Sequence, residues 1–304
     1  MSVAFKSGFV AIVGRPNAGK STLVNHLVGR KVAIVSSRPQ TTRNRIQAIV
    51  NRENAQMVLI DTPGMHKPET ALGRQMIQEI EQALEGIDVV ALLVDASKDF
   101  DPEDHWPLER LQRFHGPRFL LLNKIDLIPK TRLLPLIEMY HREAEFAEIV
   151  PVSALTGDGL PLLLDEFVEY LPEGQPYFPP DQFTDQPERF LAGEIIREKV
   201  IASTHAEVPH AVAVLVDDFR ETPNLIRIRA AIHVEREGQK GIVIGRGGEM
   251  LKKIGTTARH ELEELLGAKV FLELYVKVRR DWRDNPALVR ELDWRRQLEH
   301  LTGE

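Results

Sequence analysis

The segment Gly14-Arg15-Pro16-Asn17-Ala18-Gly19-Lys20-Ser21 has the residue types and spacing that hold a polyphosphate. Glycines let the backbone curl so that its N–H groups face phosphate oxygens. A helix starting near Lys20 adds its positive end. The Lys20 ammonium reaches the outer phosphates and the Ser21 hydroxyl suits magnesium, with Thr22 in the same turn. Asp61-Thr62-Pro63-Gly64 offers a carboxylate to the magnesium shell and the Gly64 N–H to a γ-phosphate, although Pro-Gly alone is an ordinary turn. In Asn123-Lys124-Ile125-Asp126, Asp126 can accept both N–H groups on a guanine edge, a pair adenine lacks. Asn123 would brace the phosphate loop, and the Lys124 stem would pack on the base. Ser153-Ala154 can offer a backbone N–H to the guanine oxygen. Between the first helix and the second strand lies Gln40-Thr41-Thr42-Arg43. A threonine there, Thr42 with Thr41 as the alternative, would join the metal shell only when a γ-phosphate is present. The catalytic set on this reading is Lys20, Thr42 and Gly64, with Ser21, Thr42 and Asp61 on the metal. His66–Thr70 would form a second switch segment, and Met65 stands where a water-orienting glutamine is often found. A thioether cannot orient water, so intrinsic hydrolysis is expected to be slow.

Those groups need a scaffold. Short, nearly continuous apolar runs occur at Phe9–Val13, Met57–Ile60, Val89–Val94, Phe119–Leu122 and Ile149–Val152, separated by amphipathic stretches. That is the pattern of parallel strands buried on both faces with helices between them. Ile46–Val50 reads as an extra strand, and a last helix at about Leu160–Tyr170 stops before Pro172. Each motif falls at the carboxyl end of a strand, where open α/β sheets place ligands. The expected organisation is an α/β phosphate-loop domain at 1–171, a proline-rich linker at 172–187 and an α+β domain at 188–304.

From Glu188 the pattern changes to helix (Glu188–Ser203), strand (His210–Val216), strand (Ile226–Val234), two helical pieces from Gly245 to about Leu266 broken at Gly255, and a one-sided strand (Val270–Val278). Ile244-Gly245-Arg246-Gly247-Gly248 is a GxxG turn preceding an amphipathic helix, with Lys240, Lys252, Lys253 and Arg259 around it. A glycine turn lets a single-stranded backbone come close, and the basic side chains supply salt-sensitive affinity. The basic segment Lys277–Arg283 contains Trp282. Two readings of it stay open: an extension of the RNA surface by stacking, or a tail whose indole packs on its own domain.

Composition excludes several alternatives. The chain has 304 residues and no cysteine, which removes disulfides, thiolate metal sites and cysteine nucleophiles. Its histidines show no ligand spacing. The formal net charge of -6 confines nucleic-acid binding to a local basic patch and gives no expectation of DNA binding. No run approaches the roughly 18 apolar residues of a membrane span. The first residues run straight into the phosphate loop, so no signal peptide is expected.

The order of these motifs resembles the GTPase superfamily, and GRPNAGKS with a hydrophobic residue after DTPG is similar to its TrmE–Era family. The Gly245–Gly248 turn in its helix-strand-strand-helix-helix-strand setting resembles a type II KH domain, and one GTPase domain joined to one KH domain is similar to a single branch of that family. The resemblance covers nearly the whole chain. It implies GTP/GDP and magnesium as ligands and a monovalent cation such as potassium held in part by Asn17. It also implies binding to 16S rRNA near its 3′ end, assistance to small ribosomal subunit assembly, a cytoplasmic location and peripheral contact with the membrane. Two rival readings are an RNA-binding protein with a structural nucleotide, and a GTPase acting mainly at a membrane or on a protein effector.

Overall fold

The computed structural model describes residues 4–295. Along the chain run β1 (Lys6–Val13), α1 (Lys20–Val28), β2 (Ile46–Arg52), β3 (Ala55–Asp61), α2 (Ala71–Ala83), β4 (Val89–Asp95), α3 (His105–Leu111), β5 (Arg118–Asn123), α4 (Leu133–Glu143), β6 (Glu148–Pro151) and α5 (Leu160–Tyr170). There follow α6 (Glu188–Ser203), α7 (Val208–Ala211), β7 (Ala213–Thr222), β8 (Leu225–Val234), α8 (Glu237–Ile244), α9 (Glu249–Leu266), β9 (Val270–Val278) and α10 (Pro286–Glu291). The chain divides into two compact units. The first runs to Lys67 and resumes from Gln75 to Asp185, and the second holds Pro68–Arg74 and resumes at Gln186.

The first unit is built on a six-stranded sheet in the order β2-β3-β1-β4-β5-β6. Every pairing is parallel except β2 with β3. Alternation along β1 explains the apolar runs. Val10 and Ile12 join one core with Leu23 and Leu27 of α1 and Phe167 of α5. Ala11 and Val13 join another with Ile80, Leu111 and Tyr140 from α2, α3 and α4. A sheet covered on both faces has no solvated side, so its strands carry no polar alternation.

The proline-rich stretch lies along the open edge of this sheet. Gln56, 1% exposed, accepts from the N–H groups of Tyr177 and Phe178 and donates to the Phe178 carbonyl. Ile49 N–H donates to the Phe183 carbonyl, and Thr184 Oγ1 donates to the Gln47 carbonyl. Prolines cannot extend a ladder, but the residues between them satisfy the edge groups of β2.

The second unit packs α6 and α9 on a three-stranded sheet, β7-β8-β9, with β8 and β9 parallel. Ile195, Ile228, Ile232, Ile254, Leu262 and Val276 belong to its core. Two sequence expectations are corrected. His210 lies in α7, whose first turn carries Pro209, so the first strand starts later, at Ala213. The helical break falls at Gly245–Gly248, not at Gly255, which lies inside a continuous α9. A Cβ there would meet Leu274 of β9 at 3.4 Å, an ordinary contact, so nothing in the packing requires a glycine at this position.

Candidate functional site

Parallel strands bring the phosphate-loop motifs to one edge. The loop leaves β1 at Val13 and enters α1, whose N-cap Gly19 has φ 104°. Lys20 is 6% exposed, and its Nζ donates to the carbonyls of Gly14 (3.0 Å) and Arg15 (2.9 Å). Ser21 Oγ donates to Asp61 Oδ2 (2.6 Å) and lies 2.8 Å from Thr42 Oγ1. Thr42 rather than Thr41 therefore faces the loop, while Thr41 Oγ1 donates to the Arg38 carbonyl. The Asp61 carboxylate is fully buried, and its Oδ1 has no hydrogen-bond partner. Burial pushes Asp61 up to about 6, opposed by the Ser21 hydrogen bond and the Lys20 charge. Burial likewise lowers Lys20 to about 8, opposed by Asp61. Both groups stay mostly charged at pH 7, withdrawn from water with partial compensation. Three oxygen groups, one an orphaned carboxylate oxygen, suit a hard divalent cation, and the buried ammonium beside them suits phosphate.

Asp61-Thr62-Pro63-Gly64 closes over this loop. Met65 N–H donates to the Gly14 carbonyl at 2.9 Å, and Thr62 Oγ1 donates to the Ile12 carbonyl at 2.8 Å. A Cβ on Gly64 would stand 2.8–2.9 Å from Pro16, including its backbone, so only glycine permits this approach. Met65 itself is 1% exposed and belongs to the core beneath the sheet. Asn17 (φ 62°) donates through its amide nitrogen to the Ser37 carbonyl.

Asn123 is 2% exposed. It donates to the Ala18 carbonyl (2.7 Å) and accepts from Ala154 N–H (2.9 Å), joining the phosphate loop to the Ser153-Ala154 segment. Asp126 is exposed and accepts from Ser153 Oγ at 2.6 Å. Lys124 (φ 67°) pairs with Asp95 at 2.6 Å. Sequence reasoning missed Asp95, although an acid ending an apolar strand is the same signal that marked Asp61. It also missed the setting of Arg15, whose guanidinium pairs with Asp101, Glu103 and Asp104 in the turn before α3.

In the second unit, α8 ends at Ile244, and the chain turns through Gly245 (φ 75°), Gly247 (φ 60°) and Gly248 (φ 84°) into α9. A Cβ on Gly245 would meet Met250 at 2.6 Å, whereas Gly247 and Gly248 face open space. No side chain caps the start of α9, whose N–H groups there are available to phosphate. Arg246, Lys252 and Lys253 are exposed at the turn, and Lys240 is half-buried on α8. Arg259 stands farther along α9, roughly 15 Å at the usual helical rise, and pairs with Glu263. Ile242, 53% exposed beside the turn, was not marked by its sequence. Trp282 is 2% exposed and donates to the Ala211 carbonyl, so the indole packs on its own domain and is withheld from stacking. Arg283 pairs with Glu235.

The fold and these sites define a P-loop nucleotide-binding protein carrying a KH-type module. Residues 9–124 match the model of a family described as "50S ribosome-binding GTPase", and residues 207–283 match the KH domain. The chain is 52% identical over 295 residues to GTPase Era of Syntrophus aciditrophicus (strain SB), covering 96% of each. It superposes with TM-score 0.90 on a point variant of Aquifex aeolicus Era bound to GDP·AlF4−, at 44% identity, covering 95% of this chain and 99% of that one. It superposes with TM-score 0.91 on Era in complex with MgGDPNP and nucleotides 1506–1542 of 16S ribosomal RNA, again at 44% identity and with the same coverage.

The chain belongs to the Era family of GTPases. No helix among the described residues is long and apolar enough to cross a membrane.

Proposed function

We propose that this chain is a GTP-hydrolysing switch that binds 16S rRNA near its 3′ end through the Gly245–Gly248 turn and assists small-subunit assembly. The observation that carries the switch is the convergence of Ser21, Thr42 and the unpartnered Asp61 oxygen beside buried Lys20. The Era structure holding both MgGDPNP and a 16S rRNA segment supports the ligands. Ser21, Thr42 and Asp61 would hold magnesium, which when bound neutralises charge on the β- and γ-phosphates.

The protein's own groups do the rest. Lys20 donates to the outer phosphate oxygens, and the Gly64 N–H meets the γ-phosphate. Backbone N–H groups of the phosphate loop line the polyphosphate. Water attacks the γ-phosphorus in line, the bond to the β-phosphate oxygen breaks, and GDP leaves with phosphate. No covalent enzyme intermediate is needed. Met65 is buried in the core and cannot orient that water, so intrinsic turnover is slow. Asn17, whose amide nitrogen is engaged by Ser37, has its carbonyl oxygen suited to a monovalent cation such as potassium. Asp126 reads the guanine edge, and the Lys124 stem packs on the base.

Thr42→Ala tests the switch. Loss of a direct metal ligand should lower turnover by at least the roughly tenfold to hundredfold seen on removing groups that only orient a ligand, while GDP, which needs no switch threonine, is still held. Turnover equal to the wild type would refute the assignment. We further propose a cytoplasmic location with peripheral contact at the membrane; cell fractionation tests it, and recovery in the soluble fraction alone would refute the membrane contact.

A further inference from the structure

His66 lies two residues beyond Gly64 and is bonded at both ring nitrogens. Nδ1 is 2.9 Å from the Gly64 carbonyl oxygen, and Nε2 is 3.0 Å from Gln40 Nε2. A carbonyl can only accept, so Nδ1 carries the proton. In the neutral ring Nε2 is then a lone pair, which takes an N–H from the Gln40 amide. One neutral tautomer satisfies both contacts.

The Gly64–Met65 peptide is thereby held at both of its polar groups, its carbonyl by His66 and its N–H by the Gly14 carbonyl at 2.9 Å. Gln40 has φ 60°, a region that non-glycine residues enter only when surrounding contacts hold them. It stands two residues before Thr42, the hydroxyl beside Ser21. Met65, adjacent to His66, is fixed in the core.

We propose that Gln40 and His66 form a latch between the two switch segments, with His66 a positioning residue for hydrolysis. His66 fixes the Gly64–Met65 peptide, and with it Gly64, whose own N–H is the group assigned to the γ-phosphate, and through Gln40 ties to it the segment that carries Thr42. The latch rests on the reading of Thr42 and Gly64 as γ-phosphate contacts. It favours the triphosphate state over the diphosphate state.

The test uses the full chain as His66→Ala, Gln40→Ala, the double variant and His66→Gln. Affinities for fluorescent GDP and a non-hydrolysable GTP analogue are measured, together with single-turnover hydrolysis. One neutral hydrogen bond corresponds to roughly fivefold. Gln40→Ala, which removes one contact, should lose about fivefold in analogue affinity and in single-turnover rate, and His66→Ala, which also gives up the Gly64 contact, up to about 25-fold, with GDP affinity within twofold of the wild type for both. The double variant should lose no more than His66→Ala alone, since the contact that Gln40→Ala removes is already absent there. His66→Gln, whose amide can donate to Gly64 and accept from Gln40, should restore most of the loss. Wild-type behaviour of Gln40→Ala beside an impaired His66→Ala would overturn the latch, as would losses that multiply in the double variant or an equal loss of GDP affinity. The underlying reading fails separately, if Thr42→Ala hydrolyses GTP at the wild-type rate.

Discussion

Asn123 gathers two segments that are remote in sequence. It is buried, and its amide bonds Ala18 on one side and Ala154 on the other. Truncating it would leave two buried backbone groups unpaired, at about 1–3 kcal/mol each. On the proposed reading guanine specificity lies at Asp126, whose carboxylate is exposed and accepts from Ser153. Asp126→Asn removes two charge-assisted hydrogen bonds to guanine, about 1.5–3 kcal/mol each. GTP affinity should fall by roughly two orders of magnitude or more, while xanthosine triphosphate, which matches the new donor and acceptor, gains. Competition binding with the two nucleotides checks this, and a variant that still prefers GTP would refute the guanine assignment. The groups proposed to touch nucleotide were legible because phosphate, metal and base each demand particular side chains at short spacing. Asp95 was not. Its partnership with Lys124 comes from the β4–β5 register, which sets Asp95 opposite Asn123, and no short motif encodes strand adjacency.

At the scale of elements, the α8-turn-α9 unit was recognised by its GxxG while its break was misplaced. A glycine inside a helix costs about 1 kcal/mol relative to alanine but does not end it. Positive φ at Gly245, Gly247 and Gly248 does. Strand β8 carries a different feature, His233, which is 3% exposed with Nδ1 unpartnered. Burial, with smaller contributions from the nearby charges of Lys277 and Arg279, lowers it from 6.5 to about 4. The folded state therefore prefers neutral His233 while the unfolded chain protonates near 6.5. This group's contribution is fully present above that value and is lost as pH falls toward 4, by about 3 kcal/mol in all. Denaturant unfolding of the wild type and His233→Leu across pH 7 to 4 isolates it. The difference in stability between the two should shift against the wild type by that amount as pH falls, and a pH-independent difference would contradict the assignment.

For the whole molecule, alternating apolar and amphipathic stretches made the first unit legible, because a sheet buried on both faces leaves little choice of pattern. The stretch at 172–187 was less so. Its prolines suggested a spacer, but its hydrogen bonds to Ile49 and Gln47 of β2 and to Gln56 of β3 depend on an edge that exists only once the sheet has formed. On the proposed reading one chain carries a nucleotide site whose switch residues respond to a γ-phosphate and a glycine turn suited to single-stranded RNA. The central claim is that the first governs the second.

The direct measurement is binding of a labelled RNA spanning the 3′ end of 16S rRNA to the full chain with GDP, with a non-hydrolysable GTP analogue, and without nucleotide, at one stated salt concentration. Gly248→Asp serves as the control, since a side chain there meets open space and aspartate tolerates positive φ, so the fold is retained while a carboxylate faces the phosphate backbone. The account predicts tight binding with the analogue, weaker binding with GDP, and loss in Gly248→Asp. Equal affinity in all three nucleotide states would contradict it.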